Sequence, residues 1–273
     1  MLSVIIPSYK DPYLHKTIES LLDNAEGDIE IIVVLDGYMP EKTIKGDKRI
    51  ILVHLKENVG MREAINTGVK ASKGKYLLRS DEHCKFGKGY DRILTETIEY
   101  NWIVTPRRYY LNPETWEHYG GPFDYEKLII GTSVFGKKKG RKKFHGANWP
   151  ERSKVFADVM IDEKTGIQGS CWLMHRKWWD DVIKRLQSEG YGTHNQDQTE
   201  MCFKTWQAGG KLMLNKNTWY AHKHKDFPRT HHYPTEKASQ AFTYALSQWQ
   251  PYYEEYVLPK IRDRERQVNR WKI

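Results

Sequence analysis

The sequence predicts an α/β protein with a doubly wound, mostly parallel sheet and a C-terminal helical extension. The first 80 residues alternate apolar runs with amphipathic segments in the order strand, helix, strand, strand, helix, strand. The segment IEIIVVLDG at 29–37 is a continuous β-branched run, which is typical of parallel strands buried on both faces. Such sheets bind ligands at the carboxyl ends of their strands, so functional residues are expected there.

Local patterns in the first third of the chain predict each element in turn. They give a strand at 2–7, a helix at 12–24, strands at 29–37 and 49–55, a helix at 60–72, and a strand at 74–83. Leu14, Ile18 and Leu21 share one face of the first helix, and Asp11 is its expected cap. The last strand runs into a polar tip, which marks it as a candidate for chemistry.

The rest of the chain is less regular at first. Residues 101–156 are rich in Trp, Tyr, Pro, Gly and Lys, which predicts long loops. Beyond them the patterns predict a strand leading into a helix at 166–186, a helix at 197–210, a strand at 211–224 and a helical tail from about 235 to 273.

Composition narrows the class of protein. The 273 residues carry 44 Lys and Arg against 35 Asp and Glu, a net charge of +9 that favours an acidic partner such as nucleic acid or nucleotide phosphate. The 3 cysteines are unclustered, so no disulfide framework is indicated. No apolar stretch is long enough for a membrane span, and the N-terminal run is too short for a signal peptide. These observations predict a cytoplasmic protein.

Two strand ends and one helix start form a candidate nucleotide site. Pro7, Ser8 and Tyr9 end the first strand and are expected to line a base pocket, with Tyr9 stacking on the base. Asp36 ends the second predicted strand, where a carboxylate can bind a ribose or base imide, or else cap a turn. Asn58 and Arg62 flank the start of the helix opened by Gly60. Arg62 could meet a pyrophosphate there, or be an ordinary solvated side chain.

The sharpest candidate is the strand end LLRSDEHC at 77–84. Residues i and i+2 of a strand point the same way, so Asp81 and His83 can share one cation, and Ser80 beside them is a candidate contact of the bound nucleotide. A carboxylate with an imidazole suits Mn²⁺ better than an all-oxygen Mg²⁺ site, although Mg²⁺ remains the alternative. Such a cation would bridge two phosphates and stabilise a departing diphosphate. Taken alone, the motif could also be a surface turn.

Taken in series, these motifs resemble the GT-A glycosyltransferases. SVIIPSY, EIIVVLDG, NVG, NTG and GKY, followed by the strand-end DEH, occur in that family's order, and the Asp-x-His form is most similar to the polypeptide N-acetylgalactosaminyltransferase branch. NQDQTEMCFKTWQAGG at 195–210 and WYAHKHK at 219–225 also resemble segments of that branch.

The resemblance implies a UDP-sugar donor, a divalent cation and further site residues. His222 would be the third metal ligand, with His224 as the alternative, since their spacing lets either face the site. The loop that carries Gln168 and Gly169 would bind the donor sugar. Asp197 would contact the donor sugar or the acceptor in a retaining reaction, with helix capping as the alternative role.

The resemblance also divides the chain and leaves the acceptor open. It implies a GT-A domain over 1–230 with a nucleotide half at 1–90, an aromatic and basic loop region at 100–160, an acceptor and sugar half at 165–230, and an extension over 231–273. Asn195-Gln196-Asp197 replaces the branch's Trp-Gly-Gly-Glu, and neither a lectin domain nor a membrane anchor is expected. A peptide acceptor is therefore not carried over.

Three hypotheses about the acceptor follow. The net charge and the run KKKGRKK at 137–143, with aromatic residues around it, favour a hydroxymethylated base in DNA. The family itself favours a protein or glycan hydroxyl. A nucleic-acid-binding module on an inactive transferase scaffold is the non-enzymatic alternative. The aromatic residues of the first hypothesis are Tyr109, Tyr110, Trp116, Tyr119, Phe135, Phe144 and Trp149.

Overall fold

The protein is described by a computed structural model that covers residues 1–132, 140–224 and 235–271. The elements up to residue 97 are β1 (Leu2–Ser8), α1 (Leu14–Asn24), β2 (Ile29–Leu35), β3 (Ile50–His54), α2 (Met61–Ala71), β4 (Tyr76–Ser80), β5 (Cys84–Phe86) and α3 (Tyr90–Thr97). Each predicted strand and helix of this part is present. Asp11 is not the N-cap of α1 as expected: Tyr13 holds that position, and Asp11 accepts a hydrogen bond from the Tyr13 backbone amide at 2.9 Å.

The second part of the chain adds strands to the same sheet and helices around it. Its elements are β6 (Trp102–Leu111), β7 (His118–Phe123), β8 (Glu126–Thr132), β9 (Lys142–Asn148), α4 (Pro150–Val155), β10 (Ile161–Glu163), β11 (Cys171–His175), α5 (Arg176–Trp178), α6 (Asp197–Gln207), β12 (Lys211–His222), α7 (Thr235–Tyr252) and α8 (Leu258–Arg270). A π-helical turn at Trp179–Ile183 follows α5, and another at Tyr253–Val257 joins α7 to α8.

The central sheet has the strand order β10-β12-β6-β11-β4-β1-β2-β3. The strands β3, β2, β1 and β4 run parallel, as do β12 and β6, whereas β11 is antiparallel to both β4 and β6. Its two faces carry separate apolar clusters, one under α1 and α3 and one under α2 and α6. The predicted doubly wound, mostly parallel α/β fold is therefore confirmed, and the carboxyl ends of β1, β2 and β4 meet at one edge.

The prediction of long loops over 101–156 was wrong. β6 lies in the middle of the sheet, paired with both β11 and β12, and β8 and β9 form a separate hairpin. Pro106 made the β6 segment look like a loop, because proline has no N–H group to donate to the hydrogen bonds between strands. The fold tolerates it at the point where the register between β6 and β12 shifts, between Asn215 and Trp219.

The predicted helical tail is confirmed for its described part. α7, the following π-helical turn and α8 pack with Phe144 of β9 and Phe203 of α6 in a third apolar cluster. The rings of Phe203 and Trp249 stack with centroids 5.2 Å apart. Within the described ranges, none of the helices has the length and apolar character needed to cross a membrane.

Candidate functional site

Three predicted metal ligands converge where β4 and β12 end. Asp81 follows β4, His83 precedes β5, and His222 is the last residue of β12, which pairs with β5. The His222 Nε2 atom lies 3.0 Å from Asp81 Oδ2 and 3.1 Å from His83 Nε2. His83 Nε2 lies 3.7 Å from Asp81 Oδ2. One carboxylate oxygen and two imidazole nitrogens thus face a common point.

The donor atoms of this group fit a divalent cation. Ligand atoms held about 2.1 Å from one ion lie about 3.0 to 3.4 Å apart, which matches the spacing of the two Nε2 atoms. Burial lowers the pKa of His222 to about 3, which keeps that imidazole in the neutral form required of a ligand. Asp11 Oδ2 lies 2.9 Å from His83 Nδ1, so a proton on Nδ1 leaves the Nε2 lone pair directed at the site.

His224, the alternative third ligand, occupies a different place. Its ring packs edge-on against His222, with centroids 5.2 Å apart, and against Tyr110 at 4.9 Å. The ligand atoms of Asp81, His83 and His222 all lie within 4.8 Å of one another, and those of Asp11, Glu82 and His83 form a second such group that does not include His224 either. The geometry therefore favours His222 over His224 as the partner of Asp81 and His83.

A narrow cleft opens beside this group at the carboxyl ends of β1, β2 and β4. Of the predicted donor-binding residues it is lined by Pro7, Ser8, Tyr9 and Asp36, together with Asp81. Its other lining residues are Met61, Ala64, Arg79, Glu82 and His194. The structure thus brings the residues of the predicted base pocket into one cleft with Asp81, which also contacts His222 beside the cleft.

Tyr38 is a cleft-side residue that the sequence patterns did not single out. Its hydroxyl contacts the Ser8 hydroxyl, and its ring meets Tyr9 edge-on with centroids 5.8 Å apart. Burial raises the pKa of Tyr38 to about 12. Its position two residues after Asp36, at a strand end of a predicted nucleotide site, was the signal that could have found it.

Asp36 organises the loop that leads into α2. Its carboxylate accepts hydrogen bonds from the backbone amides of Val59 and Gly60 at 2.8 and 2.9 Å, and from the Asn58 side chain at 2.9 Å. Burial raises the pKa of Asp36, and the two backbone hydrogen bonds oppose that rise. Of these hydrogen bonds, Asp36 Oδ1 accepts one, from the backbone amide of Val59. A contact between Asp36 and a ribose or a base stays a prediction.

We expect Asp36→Ala to lower the free energy of unfolding by about 2 kcal/mol, because three donors of the 58–60 loop lose a buried acceptor. Urea unfolding followed by circular dichroism would measure it. Asp47→Ala is the control, since Asp47 lies partly exposed in a loop and, among the described residues, its carboxylate bonds only Arg49. Equal losses in both variants would show that Asp36 does not hold the loop.

The expected contact of Arg62 with pyrophosphate is not present. Its side chain is fully buried and donates to the backbone oxygens of Gln187 and Asn195 at 2.6 and 2.9 Å and to the carboxylate of Glu200. The guanidinium also lies over the ring of Tyr191 at 4.2 Å. Arg62 was misassigned because its face of α2 is covered by the 187–195 loop, far away in sequence. It links α2 to α6 and does not line the cleft.

Ser80 also differs from its expected role as a donor contact. Its hydroxyl is fully buried and donates to the backbone oxygen of Asp81 at 2.8 Å. Gln168 is partly exposed, and its amide bridges Arg108 and the carboxylate of Glu126. Ser80 therefore stabilises the backbone at Asp81 through this hydrogen bond. A contact between Gln168 and the donor stays a prediction.

Asp197 lies at the start of α6 opposite Gly169. It is 3% exposed, and its Oδ2 atom has no hydrogen-bond partner among the described residues. A Cβ at Gly169 would come within 3.4 Å of that oxygen. Asn195 and Gln196, just before Asp197, have φ angles of 67° and 57°, which turn the chain sharply into the helix. A buried carboxylate oxygen with unused acceptor capacity suits a hydroxyl-bearing ligand.

Arg79 is the second residue that sequence reasoning missed. It is 1% exposed, borders the cleft, and donates to Asp81 Oδ1 at 2.6 Å, leaving Asp81 Oδ2 directed at the metal site. The signal was available, because Arg79 and Asp81 stand at positions i and i+2 of one strand and so share a side.

The predicted aromatic and basic groove is only partly tested. Phe144 and Trp149 are 0% and 3% exposed and pack in apolar clusters, so neither can serve as a stacking platform. Phe135 and residues 137–139 of the basic run lie outside the described residues. Tyr109 packs with His118 and Trp219, whereas Tyr110 packs with Tyr119 and Phe123. Tyr109 and Tyr110 are neighbours on β6 and so point to opposite faces, which places these aromatic rings in two separate groups.

Comparison with known proteins agrees with this arrangement. The sequence profile described as glycosyl transferase family 2 matches residues 3–183. The protein named Uncharacterized glycosyltransferase EpsJ of Bacillus subtilis is 36% identical over 110 residues, which cover 38% of this chain and 32% of that protein. Polypeptide N-acetylgalactosaminyltransferase 4 of Mus musculus is 24% identical over 269 residues, 93% of this chain and 44% of that protein.

A solved structure has the same fold over nearly the whole chain. The crystal structure of GalNAc-T7 with UDP, GalNAc and Mn²⁺ superposes with a TM-score of 0.72 at 15% identity, covering 94% of this chain and 50% of that one. The fold is therefore the GT-A fold, and it resembles the N-acetylgalactosaminyltransferase branch. This chain spans less than half the length of the two curated relatives named above.

Proposed function

Because the chain belongs to glycosyl transferase family 2, we propose that it transfers a sugar from a UDP-sugar to a hydroxyl acceptor with the help of a divalent cation. The cation would be Mn²⁺, or else Mg²⁺, held by Asp81, His83 and His222. The observation that carries this proposal is the convergence of three ligand atoms beside a cleft that Pro7, Ser8, Tyr9 and Asp36 line. The presence of UDP and Mn²⁺ in the GalNAc-T7 structure supports the same assignment.

Each residue of the cleft would have a defined part. A bound divalent cation supplies Lewis-acid stabilisation of the negative charge that develops on the departing diphosphate. Asp11 orients His83, and Arg79 orients Asp81, so the ligands are fixed before the donor arrives. Pro7, Ser8 and Tyr9 would bind the base.

Asp197 is proposed to act on the sugar side of the cleft. Its unpaired Oδ2 atom would accept a hydrogen bond from a hydroxyl of the donor sugar or of the acceptor. Retention of configuration stays a prediction from the family resemblance. So does the hydroxymethylated DNA base as acceptor, since the part of the basic run at 137–139 lies outside the described residues.

We also propose that residues 1–230 form the GT-A domain and that residues 231–273 extend it. The third apolar cluster supports a close association, because α7 and α8 share it with β9 and α6. A cytoplasmic location stays a prediction.

The direct test is release of UDP from a panel of UDP-sugars, with and without hydroxyl acceptors, in the presence of Mn²⁺. Turnover of at least one donor that stops with a chelator and returns with Mn²⁺ is expected. Calorimetry that detects no UDP binding with Mn²⁺ present would instead favour the non-catalytic nucleic-acid-binding alternative.

We expect Mn²⁺ to support about tenfold faster turnover than Mg²⁺ at equal, sub-saturating concentration. Two of the three ligands are imidazole nitrogens, which suit Mn²⁺, whereas Mg²⁺ prefers oxygen ligands. Initial rates of UDP release across a titration of each metal would measure the ratio. Equal or faster turnover with Mg²⁺ would argue against the two histidines as ligands.

A further inference from the structure

We propose that Arg79 binds an oxygen of the donor's sugar moiety and so helps to select the donor. The inference rests on the proposed transfer from a UDP-sugar. It assigns a contact with the substrate to Arg79, a residue of β4 that lies deeper than the metal ligands and is not itself a ligand.

The hydrogen bonding of Arg79 is the first observation. The side chain is 1% exposed, yet among the described residues its Nε and Nη1 atoms have no hydrogen-bond partner. Only Nη2 is engaged, with Asp81 Oδ1 at 2.6 Å and Met61 Sδ at 3.4 Å. Leaving the donors of a buried cation unpaired is costly, so a fold retains them where a ligand uses them. In Arg62 and Arg176 the Nε, Nη1 and Nη2 atoms are all bonded. Arg152, which borders a separate cleft, leaves the same two atoms unpaired among the described residues as Arg79 does, so the position of Arg79 must carry the argument further.

The place of Arg79 in the cleft is the second observation. Arg79 lies two residues before Asp81 on β4, one step deeper into the sheet, and borders the cleft with Met61 and Ala64 of α2. The exposed fraction of its side chain is 2%, against 17% for Asp81. A diphosphate bridged by the cation must lie near Asp81 at the mouth. The sugar is attached beyond the diphosphate, so we infer that the sugar is the part of the donor that reaches Arg79 below the mouth of the cleft.

Charge balance favours a sugar hydroxyl or carbonyl over a phosphate. Two carboxylates act on the Arg79 guanidinium, Asp81 directly and Asp197 through space. Because Arg79 is already paired with the carboxylate of Asp81, a neutral oxygen is a more favourable further partner than a second anion. Arg79 offers unpaired donors, and Asp197 offers an unpaired acceptor, Oδ2. A hydroxyl both donates and accepts, so this pair is complementary to a sugar.

The decisive variant is Arg79→Lys. Lysine keeps a positive charge to pair with Asp81 but lacks the planar fork that supplies the two unpaired donors. We expect the affinity for UDP with Mn²⁺, measured by calorimetry, to stay within threefold of wild type. The kcat/KM for the UDP-sugar is expected to fall about 30-fold, the scale of one hydrogen bond to a charged group. Arg176→Lys is the matched control, a half-buried arginine bonded to Gly74 and Ser72, and should change neither value.

A second measurement does not depend on how well the variant folds. Deoxy analogues of the active donor, each lacking one sugar hydroxyl, are compared on wild type and Arg79→Lys. One analogue should lose about 30-fold in kcat/KM on wild type and much less on the variant, because the bond is already gone. Equal losses on both proteins for every deoxy analogue would overturn a contact between Arg79 and a sugar hydroxyl. A contact with the carbonyl of an N-acetyl group is tested in the same way, with a donor that lacks that group. Equal losses there as well would overturn the inference.

The outcomes separate this inference from the function beneath it. If wild type turns over a UDP-sugar and Arg79→Lys does so equally well, Arg79 has no role in donor binding while the proposed function stands. If the variant loses UDP and UDP-sugar affinity equally, Arg79 serves the diphosphate or the metal, and the sugar contact is overturned. If wild type binds UDP with Mn²⁺ but no UDP-sugar, the donor class itself is wrong and the inference falls with it.

Discussion

Replacing Asp81 with asparagine is expected to lower UDP-sugar turnover by about 10³-fold. Asparagine has the same shape but no charge, so the site loses the one anionic ligand of its three. We expect the bound cation to stabilise the leaving diphosphate by several kcal/mol. Each loss of about 1.36 kcal/mol of that stabilisation lowers the rate about tenfold. The carboxylate also pairs with Arg79, so its loss disturbs two contacts at once.

Initial rates of UDP release at saturating Mn²⁺ would measure this effect. Asp91→Asn is the matched control, because Asp91 is 2% exposed and accepts hydrogen bonds from the backbone amides of Glu26 and Gly27 at 3.0 and 2.7 Å. Gly27 precedes β2, at the edge of the sheet opposite the cleft. The control should lose stability but keep its rate. A rate for Asp81→Asn within tenfold of wild type would remove Asp81 from the metal site.

Replacing Glu200 with glutamine is expected to lower the free energy of unfolding by about 3 kcal/mol and the melting temperature by about 10 °C. Glu200 and Arg62 are fully buried, and their charged groups are in direct contact. Glutamine fills the same space but leaves the guanidinium charge inside the protein without its counter-charge. Breaking one side of such a pair costs more than the pair itself contributes, because the remaining ion stays desolvated.

Differential scanning calorimetry and urea unfolding would measure this loss. Glu63→Gln is the control, since Glu63 pairs with Arg185 at the surface, where the two side chains are 40% and 53% exposed. That change should cost well under 1 kcal/mol. If Glu200→Gln is as stable as the control, the buried pair does not hold α2 to α6.

The structural features that the sequence predicted best are those that depend on residues close to one another along the chain. The strands and helices up to residue 97 follow from local periodicity. Strand alternation predicted that Asp81 and His83 share a side, and their ligand atoms do lie together, although β4 ends at Ser80 and both residues lie between it and β5. His222 lies far away in sequence, and only the family resemblance pointed to it. Its pairing with Cys84 through β5 and β12 shows how the fold delivers it.

The errors share one physical cause, which is packing between distant segments. Arg62 looked like a phosphate ligand at a helix start, but Gln187 and Asn195, more than a hundred residues away, cover it. Pro106 made β6 look like a loop because the register shift that accommodates it is made with β12. Arg79 was overlooked although its spacing from Asp81 was a signal, because the burial that gives this arginine its importance comes from packing.

The C-terminal helices set the order in which the molecule can assemble during synthesis. Trp249 of α7 donates a hydrogen bond to the Tyr191 hydroxyl, and the Tyr191 ring lies against the buried Arg62 that joins α2 to α6. A nascent chain that has emerged only to residue 224 already contains the three metal ligands but still exposes Phe144 and Phe203. On the ribosome, the sheet can therefore form early, whereas the third apolar cluster is completed only after α7 has been released.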